Sequence, residues 1–353
     1  MQGILFAAHW FLYKTIVRFF GITNPSHMMG LKISLIALSL SFIASSIVAF
    51  RFYNVFSRIL YTVGSVWLGA FYFFMLACIL TWVIFGITHS VSRLIPSIIF
   101  LIAVGLTIYS VVNACNPRVH AISVKIPNLP DSWKNKTAVW ASDIHLGQIH
   151  GVGFSQRVVD MINDQHPDIV FIGGDLYDGV AVDIPKVTKP FSTLTPPLGT
   201  YFITGNHEEF DGNEKYLQAV KDVGMIDFDN KIKLVDGVQL IGVDYHDATN
   251  KDTYKQILDN MHLDLTKSTI LLKHTPDKLD IAQKAGVSFQ ISGHTHDGQI
   301  FPMNYITSLI YKGFESGLKT FNTMQVYTSN GTGTWGPPLR FGNTPEIVTI
   351  RFE

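Results

Sequence analysis

Acidic residues are missing from the first 114 positions, while Lys14, Arg18, Lys32, Arg51, Arg58 and Arg93 supply six basic ones. All 27 acidic residues fall in 115–353, with the other 21 basic ones, so an overall balance hides a basic first third and a mildly acidic remainder. Cysteine is nearly absent: Cys78 lies inside an apolar run and Cys115 just after one. That scarcity excludes a disulfide framework and a thiolate zinc cluster. The later part has no strongly basic stretch, hence no nucleic-acid-binding signal. Internal repeats and low-complexity segments are lacking as well.

Long uncharged runs are what the first third does contain. Leu31–Phe50 carries one charge at its edge, and Ile59–Ile87 and Leu94–Ala114 carry none. A helical span needs about 20 apolar residues, so these three predict transmembrane helices. Trp67, Trp82, Tyr61 and Tyr109 suit the headgroup level. Ile4–Phe20 holds His9, Lys14 and Arg18, which leaves a fourth span, an in-plane amphipathic helix or a bundle member open. No small-x-small cleavage site follows it and more spans come after, so a cleaved signal peptide is not expected. Residues 1–115 are thus read as a helical region of three or four spans in a multi-pass protein of the cell membrane. Positive charges divide almost evenly between the two sides, so they do not fix the side the remainder faces.

Residues 116–135, with Pro117, Pro127 and Pro130, read as a linker that includes a short edge strand at Ala121–Ile126. From 136 to 353 short apolar runs alternate with helical patterns, which predicts an α/β domain. Strands are expected at Thr137–Ser142, Asp168–Ile172, Gly199–Thr204, Lys231–Val235, Val238–Val243, Thr269–Lys273, Val287–Ser292, Gln325–Ser329 and Glu346–Phe352. Helices are expected at Phe154–Gln165, Asn213–Val223 and Asp277–Ala285.

Five of these strands end alike. Asp143-Ile144-His145 follows the first, Gly173-Gly174-Asp175 the second, and Gly205-Asn206-His207-Glu208 the third. His274 follows Thr269–Lys273, and Gly293-His294-Thr295-His296 follows Val287–Ser292. Open α/β sheets build sites at the C-terminal ends of their strands. Imidazole nitrogens with carboxylate and amide oxygens suit zinc, manganese or iron. Two such cations a few ångströms apart can polarise a phosphoryl oxygen and activate water. His150, His166, His246 and His262 fall outside the pattern and read as surface or loop residues, with His150 and His246-Asp247 the nearest to exceptions.

In order, these blocks resemble the calcineurin-like metallophosphoesterases, whose pattern is D-x-H, G-D, G-N-H, a lone H, and G-H-x-H. The resemblance implies a double-β-sheet sandwich flanked by helices, preceded here by the transmembrane region, and a binuclear centre of two divalent cations. It implies that Asp143, His145 and His296 hold one cation, that Asn206, His274 and His294 hold the other, and that Asp175 bridges them. His207 is implied to meet the phosphoryl oxygen or the leaving group, with a metal-bound hydroxide attacking phosphorus. The tail from Ser329 to Gly342, followed by Pro345-Glu346-Ile347, is similar to the closing segment of a bacterial, often membrane-linked branch. That branch usually reads G-H-T-H-G-G-Q, and Asp297 replaces its first trailing glycine; an extra carboxylate near the site is the expectation. Tyr177-Asp178 reads either as support for the site or as a solvated loop, and Trp335 and Phe341 as core closure. Confinement beside a bilayer favours a phosphorylated lipid over a phosphorylated small molecule as substrate, for example UDP-diacylglucosamine, which some relatives cleave. The rival reading is a membrane scaffold that binds a phosphorylated ligand without turnover.

Overall fold

In the computed structural model, which describes residues 2–179, 181–209 and 212–353, the chain forms two compact units. One runs to Asn113 and also takes in Gly336–Phe341; the other holds Ala114–Trp335 and Gly342–Glu353.

The first unit consists of α1 (Gln2–Phe20), α2 (Pro25–Ala49), α3 (Val55–Thr88) and α4 (Leu94–Ala114), together with residues 336–341. The helices α2, α3 and α4 are long and apolar enough to cross a membrane. Asn54 opens α3 with a capping box, its side chain accepting from Ser57 N while Ser57 Oγ accepts from Asn54 N. At 34 residues α3 is about 51 Å long, more than the roughly 30 Å hydrocarbon layer requires. Leu12 and Tyr13 of α1 cluster with Leu35 of α2 and with Phe71 and Cys78 of α3. Its polar groups also find partners: Trp67 Nε1 donates to His9 Nε2 at 3.1 Å, and the Arg18 guanidinium lies 4.5 Å over the Phe85 ring.

The tail residues 336–341, expected with the α/β domain, group instead with these helices. Their contacts give the reason. Leu339 is fully buried and sits where a Cβ on Gly69 of α3 would fall, 2.4 Å from its Cδ1. Phe341 meets Phe73 edge-on at 5.3 Å, Arg340 N donates to Ser110 O, and Asn113 Nδ2 donates to Arg340 O.

The second unit runs β1 (Arg118–Val124), β2 (Thr137–Ala141), α5 (Val152–Asn163), β3 (Ile169–Ile172), α6 (Ile184–Thr188), β4 (Thr200–Phe202), α7 (Glu214–Asp222), β5 (Ile226–Asp227), β6 (Lys231–Val235), β7 (Val238–Gly242), α8 (Tyr245–Thr249), α9 (Lys251–Asn260), β8 (Thr269–Leu272), α10 (Leu279–Ala285), β9 (Phe289–Ser292), α11 (Met303–Ile310), β10 (Gly317–Phe321), β11 (Met324–Thr328) and β12 (Glu346–Phe352). Two six-stranded sheets result, ordered β1-β12-β2-β3-β4-β5 and β10-β11-β9-β8-β7-β6. Strand alternation sends Ala138 and Trp140 into the core between the sheets, while Val139 and Ala141 face a second core under α5. On the other sheet Leu240, Ile270 and Leu272 face inward, while Ile241 and Leu271 pack under α9 and α10. The domain is therefore the expected double-sheet sandwich with helices outside. The stretch expected as a linker is built into it: β1 pairs parallel to β12, and fully buried Trp133 donates from Nε1 to Val235 O.

Candidate metal centre

Strands β2, β3 and β4 of the first sheet are mutually parallel, as are β8 and β9 of the second. The loops past their C-terminal ends bring together every residue expected at the site. His145 Nε2 lies 3.0 Å from His296 Nε2, and His296 Nε2 lies 3.6 Å from Asp143 Oδ1. His294 Nδ1 lies 3.2 Å from His274 Nε2. Asp175 Oδ2 stands between these groups, 3.3 Å from His274 Nε2 and 3.9 Å from His145 Nε2. One donor atom each from Asp143, His145 and His296 falls within 4.8 Å of the others, and the same holds for Asp175, His274 and His294. Asn206 Oδ1 is buried without a hydrogen-bond partner among the described residues.

Local backbone geometry aims these side chains. Asp143, His145, Asp175, His294 and His296 all have φ between +50° and +71°, a left-handed conformation uncommon outside glycine. Clustering at one place marks a functional centre, since each such residue stores strain that the surroundings must hold. Two glycines admit the close approach. A Cβ on Gly205 would fall 2.2 Å from Asp175 Oδ1, and one on Gly293 would fall 2.3 Å from Asp143 Oδ2.

Supporting hydrogen bonds fix the donors. His274 Nδ1 lies 2.8 Å from Gly173 O; a carbonyl only accepts, so Nδ1 carries the proton and Nε2 faces Asp175. His207 Nδ1 likewise donates to Asp178 O at 3.0 Å. Asp143 accepts from His294 N through both oxygens and from Ser142 Oγ at 2.5 Å. Glu208 holds three backbone N–H groups, those of Asp175, Tyr177 and Gly205. The sequence left Asp178 open between support and solvated loop; its Oδ1 lies 3.4 Å from His145 Nδ1. Nothing in the spacing of the motifs singles out Glu208 or Ser142, although each adjoins one of them.

The electrostatics of the cluster call for positive charge. Burial pushes the Asp143 carboxyl up. Asp175 is held well below the usual carboxylate range despite its burial, by His274, His207 and His145. Burial opposes protonation of His274, yet Asp175 and Asp143 bring it up to about 9. Desolvation and the neighbouring His274 drive half-buried His294 down to about 3, and burial with His145 lowers His207. Burial and the Asp175 charge carry Glu208 up to about 7. Packed carboxylates recruit a proton onto the nearest imidazole, which is the position a cation would fill. The donor set, the partnerless Asn206 oxygen and ring nitrogens converging at about 3 Å therefore fit divalent cations.

The outlying histidines divide. His166, His246 and His262 are exposed, whereas His150 is buried, its ring 4.2 Å from Phe154 and its Nε2 2.9 Å from Thr334 Oγ1. Asp297 is not among the residues facing the cavity at the centre. Its φ is +47°, and Asn343 Nδ2 donates to the carbonyls of both His296 and Asp297. Position 297 thus demands a left-handed backbone, which glycine adopts without cost and aspartate tolerates. Trp335, expected to close the core, is 60% exposed and lines the cavity.

A family model described as calcineurin-like phosphoesterase matches residues 137–298. A protein of Aquifex aeolicus titled "Uncharacterized metallophosphoesterase" is 30% identical over 259 residues, covering 71% of this chain and 98% of the relative. The chain belongs to the calcineurin-like phosphoesterase family. A "Transmembrane protein with metallophosphoesterase domain" from Danio rerio is 31% identical over 271 residues, 71% of this chain and 61% of its own. A further relative from Helicobacter pylori strain J99, also titled "Uncharacterized metallophosphoesterase", is 31% identical over 221 residues, 62% of this chain and 60% of its own. The chain thus spans about 60% of the length of the fish and Helicobacter relatives. Membership in this family and three bilayer-length helices make the chain a membrane-associated metallophosphoesterase homologue.

Proposed function

We propose that this chain is a metal-dependent phosphoesterase that works at a membrane, on a lipid-linked phosphoester or pyrophosphate. The observation that carries the reading is the convergence of seven donor side chains from five loops. In it, Asp143, His145 and His296 hold one divalent cation, Asn206, His274 and His294 the second, and Asp175 touches both. When bound, such cations supply Lewis acidity at the phosphoryl oxygen and lower the pKa of water. Manganese, zinc and iron all accept this mixture of nitrogen and oxygen donors.

His207 lines the cavity beside this cluster. Its Nδ1 proton is committed to the Asp178 carbonyl, so Nε2 is the ring atom that can carry a proton to a leaving oxygen or stabilise charge there. Asp178 keeps both His207 and His145 in register, and Glu208 pins the backbone on either side of the shared aspartate. The lipid-linked substrate is supported by the three bilayer-length helices on the same chain.

Purified full-length protein reconstituted with manganese is expected to hydrolyse an aryl phosphate mono- or diester and to retain two metal ions per chain by elemental analysis. Asp175→Asn should lower both metal content and turnover, the latter at least about 10²-fold; His207→Ala should lower turnover by a similar factor with metal retained. Wild-type turnover in both variants would sink the assignment.

A further inference from the structure

A helix on a soluble surface normally buries one apolar stripe and shows a polar face. Helix α11 shows a polar stripe, Asn304, Thr307 and Ser308, but buries no apolar one. Its sequence, Met-Asn-Tyr-Ile-Thr-Ser-Leu-Ile, contains no charge, and none of its eight residues is buried. Met303, Ile306 and Ile310, spaced three and four apart, line one wall of a cavity of about 420 Å³. The other end of that cavity is the donor cluster, including His145, Asp175 and His294. Trp335 completes the apolar end, pinned by two backbone hydrogen bonds with the Gln299 side chain, one in each direction. Outside the cavity Tyr305 and Leu309 continue the same chemistry, 62% and 81% exposed. The family match ends at residue 298, so this wall lies beyond the matched segment.

We infer that α11 and Trp335 form a subsite for the hydrocarbon chain of an amphiphilic phosphoester, with Ile306 and Ile310 as the specificity-determining residues. The inference rests on the phosphoesterase reading above and narrows it. A cavity that is polar at one end and hydrocarbon at the other selects a molecule built the same way. A phosphoester with two small polar substituents would leave the isoleucine wall wet. An alkyl or acyl substituent would cover it, each buried methylene contributing up to about fourfold in binding. A second copy of the chain could cover Tyr305 and Leu309, and Ile306 and Ile310 as well, which are 51% and 63% exposed; the oligomeric state distinguishes that occupant. The chain's own bilayer-length helices place hydrocarbon-tailed substrates within its surroundings.

The test uses the full chain in lipid nanodiscs with manganese and a series of 4-nitrophenyl phosphodiesters bearing methyl, butyl or octyl groups. Octyl over methyl is expected to gain at least about 30-fold in kcat/KM, mainly through KM. In Ile306→Ser/Ile310→Ser that selectivity ratio should fall below about 5, while Ile306→Leu/Ile310→Leu should keep most of it. Substrate partitioning into the nanodisc is common to all variants, so the change in ratio isolates the wall. Alkyl phosphates of rising length should inhibit wild-type methyl-ester turnover progressively better, a readout that needs no variant. Methyl-ester turnover with a flat chain-length series, or a ratio that survives the serine pair, overturns the subsite alone. A concentration-dependent dimer lost with the serine pair, alongside a flat series, would assign α11 to a second copy instead. Absence of turnover on every ester overturns the phosphoesterase reading, and the subsite with it.

Discussion

The seven residues proposed as donors were legible as a set because the chemistry proposed for them requires their types in their order. Histidine and aspartate directly after an apolar run, next to glycine, carry meaning without any knowledge of contacts. What supports them was not legible, for a physical reason. Glu208 accepts from backbone N–H groups of another loop, and Asp178 offers its own backbone carbonyl to His207; bonds to the backbone leave no mark in side-chain spacing. Asp297 shows the converse: its side chain drew attention, but its backbone conformation is what the loop uses. Asp297→Gly should therefore leave turnover within about twofold of wild type. Relief of a left-handed strain of about 1–2 kcal/mol is offset by the greater chain entropy of glycine, so Tm should move by no more than a few degrees. Gly293→Ala is a sharper change, because its Cβ would fall 2.3 Å from both Asp143 Oδ2 and Ser142 Oγ. Elemental analysis should show loss of metal, and turnover should drop at least about 10²-fold if electrostatic stabilisation at the centre depends on Asp143.

At the level of elements, the strands that deliver donors appeared within a residue or two of expectation, since each is short and rich in β-branched or aromatic residues. Helices α8, α9 and α11 had no expectation attached. Helix α9 begins in a polar Lys251-Asp252-Thr253 stretch that reads as loop, and the eight residues of α11 are too few for the Asn304, Thr307 and Ser308 stripe to mark a helical period. The turn between β5 and β6 makes a separate prediction. Thr204 N donates to Asp229 Oδ1, while Asp229 Oδ2 is buried with no partner among the described residues. Burial, with the charges of Asp244 and Asp227, carries this carboxyl up to about 8. A carboxyl raised in the folded state stabilises the fold fully below its unfolded pKa of about 4, and that contribution drains away as pH rises to about 8. Wild-type Tm should thus decline across this interval more steeply than that of Asp229→Asn, which should be the more stable protein at pH 8. Parallel Tm profiles for the two would refute the assignment.

On the scale of the whole molecule, the boundary between units was legible from the shift in charge and hydropathy near residue 114, but the grouping of Gly336–Phe341 with the helices was not. Gly-Pro-Pro-Leu-Arg-Phe has the composition of a surface turn, yet Leu339 is buried against Gly69. Gly69→Val should overpack that notch, costing about 1–3 kcal/mol. Leu339→Ala in the same chain should recover part of the loss, a coupling readable by thermal melting of the four variants of the cycle.

The placement of β12 has a consequence for biosynthesis. It lies between β1 and β2, although more than two hundred residues separate β2 from it along the chain. While the ribosome is still adding residues before 346, β1 has no strand to pair with and β2 has one neighbour instead of two. Assembly of this sheet therefore waits on late translation, and the nascent chain carries two exposed strand edges through most of its synthesis. Such edges are templates for mispairing, so demand on chaperones should concentrate in the interval before Glu346–Phe352 emerges.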